Sequence, residues 1–462
     1  MTLSEKIKKI LLSYQLNNVE NIIRILNNND TCLDASDTGT GKTYSAIATC
    51  ASMNMIPLII CPKAVMRVWQ KVCQLFNVKP FMIVNYETIK QMKMYDKNGN
   101  RILCPHVQYD DKNKKYIWKN LEDNIIFIFD EVHKCNNMDT FNGKLLISAK
   151  DVGKKVLILS ATVCDTEEKF KIFAYILNFI KKENVNSNNL DFKGYMQFID
   201  AWLYRDQKPM MRIYNMLYPD RGTRMSIDVL GDIFPQNKVI ARPFSMGKER
   251  EEKIQAQYQI IFDAMEELKE KKKKDKKNPL VYILRAQQQI ELLKVATFIE
   301  LAKEFLEQNN SVVIFVNFTK TLNILSDALK TKCLIYGEQN DNERQTNIEL
   351  FQSDKERIII ANIKAGGVGI SLHDINGKYK RVSLISPCWS AQDVKQSLGR
   401  IHRAGAKSNA IQYIIFTANT IEESIAEKLQ TKLTNMSTIN DGDIKPSNTV
   451  IFEKKPFQMR QI

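Results

Sequence analysis

Two periodicities share this chain. Short apolar runs at 57–61, 81–84, 125–129 and 155–159 are bounded by polar or turn residues, the pattern of strands buried on both faces. Between and before them lie stretches with helical spacing, at 1–30, 43–53 and 64–75, while 31–35 reads as one more short strand. Strands alternating with helices predict a parallel α/β sheet. The alternation breaks at 94–120, where Asn98-Gly99, Cys104-Pro105 and the polar run D-D-K-N-K-K separate β-like segments; this predicts a hairpin-bearing surface insertion. From 167 to 309 the pattern is mostly helical. A second alternation starts at Ser311, with strands expected at 312–316, 333–336, 357–361, 381–385 and 410–416. Helices are expected between them at 319–330, 342–353 and 392–403, with a closing helix at 420–433. Beyond Met436 the chain is polar and is expected to be poorly ordered. The expected organisation is therefore two α/β domains in tandem. The first covers 1–240 with its insertion at 94–120, a helical connector covers 241–300, the second domain covers 301–435, and a polar tail covers 436–462.

Candidate chemistry falls at strand ends. Residues 36–43 read S-D-T-G-T-G-K-T, between a strand and a helix, as a phosphate-binding loop requires. Gly39 and Gly41 allow a tight turn that points successive N–H groups at phosphate oxygens, and the following helix adds the positive end of its dipole. Ser36, Asp37, Thr38 and Thr40 complete the loop. Lys42 can reach the β- and γ-phosphates, and the Thr43 hydroxyl can ligate Mg²⁺. Ser36 stands where the usual pattern has glycine. A lone G-K-T also arises in loops without function, and an acidic pair at a strand end is often only a turn. Here, however, Asp130-Glu131 and Ser160-Ala161-Thr162 close two further apolar runs. Ligands of parallel sheets sit beyond the carboxyl ends of strands, so the coincidence weighs more than any one motif. Asp130 can hold the hydration shell of Mg²⁺, and Glu131 can polarise an attacking water.

Composition narrows the class. Hydrophobic residues make up 44% and charged residues 26% of 462, the balance of an ordinary globular protein. No apolar run is long enough to span a bilayer, and the N-terminus is a mixed-charge helix candidate rather than a secretory signal. Nine cysteines lack C-x-x-C pairs and metal-ligand spacing, which points to reduced thiols in an intracellular compartment, cytoplasmic or nuclear, and makes zinc improbable. The net charge of +15 favours a polyanionic partner, nucleic acid first, although a Lys-rich codon bias contributes. The Lys-rich run at 269–277 reads as a solvated helix end or linker before it reads as a specific contact.

The motifs, in order, resemble those of the superfamily 2 helicases and translocases, most of all the Swi/Snf-type branch, over residues 8–433. L-S-Y-Q ending at Gln15 resembles the adenine-reading glutamine motif; S-D-T-G-T-G-K-T resembles motif I and C-P-K at 61–63 motif Ia. D-E-V-H-K-C-N-N at 130–137 resembles the D-E-x-H box with its Swi/Snf-type extension, and S-A-T resembles motif III. A-G-G-V-G-I-S-L at 365–372 resembles Swi/Snf motif V, P-C-W-S with Q-S-L-G-R-I-H-R motif VI, and T-I-E-E-S-I at 420–425 the helix that follows it. Two features depart from the branch: T-G-T-G-K-T replaces its usual G-L-G-K-T, and S-A-T is commoner among RNA helicases of the superfamily.

The resemblance implies two RecA-like domains with ATP at the cleft between them, and ATP-driven movement on nucleic acid. It implies ATP contacts from Gln15, Gly369 and Gln396 beside the phosphate loop, Mg²⁺ at Thr43 and Asp130, and coupling through His133, Ser160 and Thr162. Lys63, Asn317, Lys364 and Trp389 are the candidate nucleic-acid contacts, each also explicable as a solvated lysine, a capping Asn or a core Trp. Arg400 and Arg403, three apart on a helix, project to one face and could stabilise charge on a γ-phosphate as arginine fingers; His402 reads as a packing residue. DNA is the favoured track, RNA unwinding the alternative, and a nucleotide-dependent clamp that binds without unwinding a reading of another class. No membrane association is expected. Specificity is expected from protein loading partners. The compact size and mixed motifs resemble helicase-like proteins of large DNA viruses, with a virion location open in that case.

Overall fold

A computed structural model describes residues 3–179, 192–203, 209–230, 234–270, 277–366, 370–388, 390–441, 450–453 and 456–458. The chain divides into two units, Met1–Gly231 with Thr434–Lys445, and Asp232–Leu433 with Pro446–Ile462.

In the first unit six parallel strands form one sheet in the order Gly222–Thr223, Thr31–Asp34, Lys155–Leu159, Ile125–Asp130, Ile56–Cys61, Met82–Asn85. Successive residues of each strand enter different cores. Leu33, Ile60, Phe127, Phe129 and Ile158 pack on one face with the helix Phe141–Asp151. Cys32, Ile59, Ile126, Ile128 and Leu157 pack on the other with the helices Ser13–Asn29 and Lys42–Met53. Burial on both faces is why these strands read as unbroken apolar runs rather than as alternation. After the first strand the chain skips the two central positions, which Ile125–Asp130 and Lys155–Leu159 fill later. The loop after Asp34 therefore shares its rim of the sheet with the ends of those two strands. Residues 93–119 form two antiparallel hairpins, Lys93–Tyr95 with Arg101–Leu103 and Val107–Asp110 with Lys115–Trp118.

The second unit holds a parallel sheet in the order Leu334–Ile335, Ile358–Asn362, Asn310–Val316, Lys380–Ile385, Ala410–Thr417, Asn237–Ser245, Val450–Phe452, with Phe457–Gln458 also beside Asn237–Ser245. Two expectations fail here. The stretch expected to be mostly helical contains the nine-residue strand Asn237–Ser245, whose Lys238, Arg242 and Pro243 hide its strand character. Its partner Ala410–Thr417 supplies the pairing that local sequence could not reveal. The chain beyond Met436 is not simply a polar tail: the helix Glu422–Asp441 continues past it, Ile439 is fully buried, and Val450–Phe452 joins the sheet. Most of the Lys-rich run at 269–277 lies outside the described residues.

Two buried ion pairs organise this unit. Lys294 meets Glu422 at 2.5 Å, and the same carboxylate accepts from Tyr258 Oη (3.0 Å) and the Thr417 N–H (2.6 Å). Arg381 meets Asp354 at 2.8 Å with its guanidinium over the Phe351 ring. Among the described residues all nine cysteines are free thiols, and no helix is long and apolar enough to cross a membrane. Lys294→Met leaves the Glu422 carboxylate buried without its cation, so it is expected to lower the unfolding free energy of the second unit by about 3–5 kcal/mol, read by denaturant titration. A midpoint unchanged from wild type would show the pair to be dispensable.

Candidate active site

The candidate phosphate loop, 36–43, is shaped by contacts that lie far apart in sequence. Gly39 and Gly41 both sit at φ +90. A Cβ at Gly41 would also lie 2.2 Å from Gln15 Nε2, so this position excludes side chains twice over. Gln15 is buried, its Nε2 donating to Thr40 O (2.9 Å) and its Oε1 accepting from the Leu12 N–H (2.9 Å). Its amide thereby ties the N-terminal helix to the loop. Lys42 Nζ donates to Ser36 O (2.8 Å) and Asp37 O (3.2 Å), which holds the ammonium against the loop's own carbonyls. Thr40 Oγ1 donates to Asp37 O (2.8 Å), and half-buried Thr43 opens the helix just behind Lys42.

A clamp that sequence reading missed holds the loop from the other side. Residues 223–227 run beside it. Arg224 pairs with Asp37 at 3.1 Å and donates to Ala35 O at 2.7 Å. The Ile227 N–H donates to Asp37 Oδ2 (3.1 Å), and the Met225 N–H donates to Ser36 Oγ (2.9 Å). Ser36 in place of glycine thus has a structural use: its hydroxyl is an acceptor for the clamp. Beneath the loop, buried Asp34 accepts from Asn18 Nδ2 (3.2 Å) and the Ser36 N–H (3.0 Å), while Asn18 Oδ1 accepts from Thr223 Oγ1 (2.8 Å). Burial raises the Asp34 pKa. No local signal around Gly222-Thr223-Arg224 marks a loop-binding strand, because the contact is made across about 190 residues.

The acidic pair and the S-A-T segment meet at the neighbouring strand ends. Asp130 is held by Trp69 Nε1 on its Oδ2 (2.9 Å) and by the Glu131 N–H on its Oδ1 (2.9 Å). Tyr86 Oη donates to the Asp130 carbonyl (2.8 Å). Burial, and then the charge of Glu131, push the Asp130 pKa up to about 6, against the Trp69 hydrogen bond and the charge of Lys42. Glu131 has φ 54, a left-handed backbone that a glutamate adopts only where the surroundings impose it. From it a polar chain runs inward: Glu131 Oε2 to His133 Nδ1 (3.4 Å), His133 Nδ1 to Ser160 Oγ (3.1 Å), and the Thr162 N–H to Ser160 Oγ (3.1 Å). Thr162 Oγ1 is buried with no hydrogen-bond partner. The described residues contain no cluster of three metal-ligating side chains. A Mg²⁺ here would be held as this ion usually is, by one carboxylate and a hydroxyl together with water and phosphate oxygens. Asp130, whose proton is retained in part by a neighbouring anion, and the Thr43 hydroxyl suit that role.

The remaining candidates lie on the second unit. Gln396 is buried on the helix Ala391–Leu398. Arg400 is 2% exposed; its Nε donates to Gln396 O (3.0 Å) and its Nη1 to Ile370 O (3.3 Å). Arg403 is half-buried, with Nη1 donating to Ser371 Oγ (2.8 Å). The two arginines thus brace the 370–371 segment by different means. His402 Nε2 lies 2.7 Å from Pro235 O and its ring contacts Phe234, a packing position. Asn317 Nδ2 donates to Glu291 Oε2 (2.8 Å), so its amide nitrogen is engaged inside the unit. Lys364 is exposed here, as Lys63 is on the first unit. Gly369 and Trp389 lie outside the described residues.

Two sequence families match the chain: "Type III restriction enzyme, res subunit" over residues 8–165 and "Helicase conserved C-terminal domain" over 293–405. A protein of Acanthamoeba polyphaga mimivirus, provisionally named an ATP-dependent RNA helicase, is 39% identical over 481 residues, covering 99% of this chain and 89% of its own. The human SWI/SNF-related matrix-associated actin-dependent regulator of chromatin subfamily A member 1 is 23% identical over 92% of this chain, which spans only 43% of that protein. Among solved structures, Saccharomyces cerevisiae Dbp5 bound to RNA and ADP BeF3 aligns over 96% of this chain and 94% of its own, with TM-score 0.47 and 14% identity.

Arg224→Ala removes a charge-assisted clamp worth about 1.5–3 kcal/mol, so it is expected to raise KM for ATP by about ten- to a hundredfold with a smaller fall in kcat. Arg224→Lys, which cannot reproduce the forked contact, is expected to rescue only part of this. Steady-state kinetics on the three proteins test it, and an unchanged KM in Arg224→Ala would remove the clamp from the binding of nucleotide.

Proposed function

We propose, for a chain that belongs to the superfamily 2 helicases on their Swi/Snf-related side and hydrolyses ATP, that hydrolysis drives its movement along DNA. The carrying observation is that Lys42, Asp130-Glu131 and Ser160 stand at the carboxyl ends of three adjacent parallel strands, where one bound nucleotide can touch all of them. In this reading the N–H groups of Thr38 to Thr43 cradle the phosphates and Lys42 leaves its carbonyl partners for the β- and γ-phosphates. Gln15, already seated against the loop, lines the base side. Mg²⁺, held through Thr43 and Asp130, would neutralise charge on the phosphates. Glu131 accepts the proton of the attacking water, and its left-handed backbone aims the carboxylate away from the strand. His133, Ser160 and Thr162 report the state of Glu131 to the next strand end.

Arg400 and Arg403 of the second unit supply positive charge to the γ-phosphate in the same reading, with Gln396, one helical turn before Arg400, and Gly369 as further nucleotide contacts. Fingers of this kind are worth ~10³–10⁵ in rate. Lys63, Asn317, Lys364 and Trp389 are the proposed grips on the track. DNA is preferred because the 130–137 and 365–372 segments are of the Swi/Snf type and the SWI/SNF-related relative aligns along most of the chain. The reading as an RNA helicase is favoured by the S-A-T segment and by the name of the mimivirus relative.

Glu131→Gln is expected to lower kcat by ~10²–10⁴ while ATP still binds. ATPase rates with matched single- and double-stranded DNA and RNA decide the track: stimulation by RNA alone would sink the DNA reading. The raised pKa of Asp130 gives a pH signature. Because the carboxylate form is needed, kcat/KM is expected to be full above the shifted value and to fall as pH drops through about 6. Trp69→Phe deletes the hydrogen bond that favours the carboxylate, so its acid limb should move to higher pH. Coincident acid limbs in the two proteins would detach the limb from Asp130.

A further inference from the structure

The double hairpin at 93–119 takes no part in the site above, yet it is built as a firm, cationic surface. It carries seven Lys or Arg against three Asp, and all seven cations are exposed. The acids serve mainly the turns, although Asp110 also faces Lys115 across the outer hairpin. Asp96 Oδ1 accepts from the N–H groups of Asn98 (2.9 Å) and Asn100 (2.8 Å). Asp110 accepts from the N–H groups of Lys112 and Asn113 on one oxygen and from Asn113 Nδ2 (2.7 Å) on the other. These bonds lower both carboxyl pKa values. The carboxylates shape the turns, and among the described residues no carboxylate lies within ion-pair distance of the seven cations. A solvated loop needs no such framework, and it needs no anchor either. This one is pinned by Tyr116 Oη to Lys90 O (2.7 Å), by Trp118 Nε1 to Ser148 Oγ (2.9 Å), and by Tyr95 Oη to Asn85 and Thr88 (2.7 and 3.0 Å).

Strand alternation then sorts the outer hairpin by face. Tyr116 and Trp118 turn into the core, while Lys115, Ile117 and Lys119 form an outward row. Exposed Leu103, at 75%, and Ile102 stand on the companion hairpin. The mixture of exposed cations with exposed aliphatic groups on an anchored support suits a polymer with anionic backbone and apolar sugar and base faces. The insertion is rooted at Asn85, the carboxyl end of the edge strand, and the next strand inward ends at Cys61, close in sequence to exposed Lys63.

We propose that the 93–119 hairpins are a second nucleic-acid contact of the first unit, in which Arg101, Lys112, Lys114, Lys115 and Lys119 grip the phosphate backbone outside the helicase motifs. This rests on the reading of the chain as a nucleic-acid motor. Each phosphate contact adds ~0.9 to the slope of log affinity against log salt on duplex DNA. The triple variant Lys112→Ala, Lys114→Ala, Lys115→Ala changes only exposed side chains of an anchored hairpin. It is expected to bind labelled oligonucleotides about tenfold or more weakly at low salt and to lose about 2–3 from that slope. Its ATPase rate without nucleic acid is expected to equal that of wild type. A wild-type protein stimulated by nucleic acid, with a variant of unchanged affinity and slope, overturns the hairpin contact and leaves the motor reading standing. A wild-type protein that neither binds nor responds to any of the DNA and RNA oligonucleotides overturns both.

Discussion

A parallel sheet covered by helices on both faces leaves its strand ends as the main places where backbone and polar side chains can meet a ligand. In the first unit this constraint does most of the assembly. Cores on either side of the sheet fix the strands so closely that the residues just past Asp34, Phe129 and Leu159 must emerge together. Three polar segments, spread over more than a hundred residues of sequence, are thereby placed at adjacent strand ends. The cost is that each segment leaves a regular strand abruptly. Glu131 does so in a left-handed conformation, and the 36–43 loop does so through two glycines at positive φ.

Such a loop is not self-supporting. It is held by Gln15 from the N-terminal helix and by Arg224 with the 225–227 backbone from the far end of the unit. The Lys42 ammonium meanwhile rests on the loop's own carbonyls. The same economy governs Asp130, which Trp69 orients while burial raises its affinity for a proton. A buried carboxylate beside a second carboxylate is unfavourable alone and becomes favourable next to a cation, the condition a metal-nucleotide complex would satisfy.

The second unit uses buried charge for architecture. Lys294–Glu422 joins the start of a helix to the segment that caps the Ala410–Thr417 strand, and Arg381–Asp354 ties the strand Lys380–Ile385 to the end of the helix Asp341–Gln352. Arg400 follows this pattern, its guanidinium drawn into the unit by the Gln396 and Ile370 carbonyls, whereas Arg403 keeps partial access to solvent. Two arginines that sequence presents as a matched pair therefore sit in different electrostatic settings.

Sequence by itself determined the α/β class, the existence of two parallel-sheet halves and the loop, acidic-pair and S-A-T segments, because each is written in local periodicity or in a short run of chemistry-bearing residues. It misread 237–245, where polar residues and a proline sit in a strand, and 450–452, a three-residue apolar strand in a polar stretch; both depend on the partners that pair with them. It gave no hint of Arg224, Trp69, Asn18 or Asp34 as supports of the site, since hydrogen bonds across 16, 61 or 189 residues leave no trace in local spacing. It also read Ser36 as a weakened glycine, and only the fold shows its hydroxyl receiving the Met225 N–H. Local propensity and pattern are properties of neighbours along the chain; the clamping of the 36–43 loop is a property of neighbours in space, and tertiary packing alone chooses those.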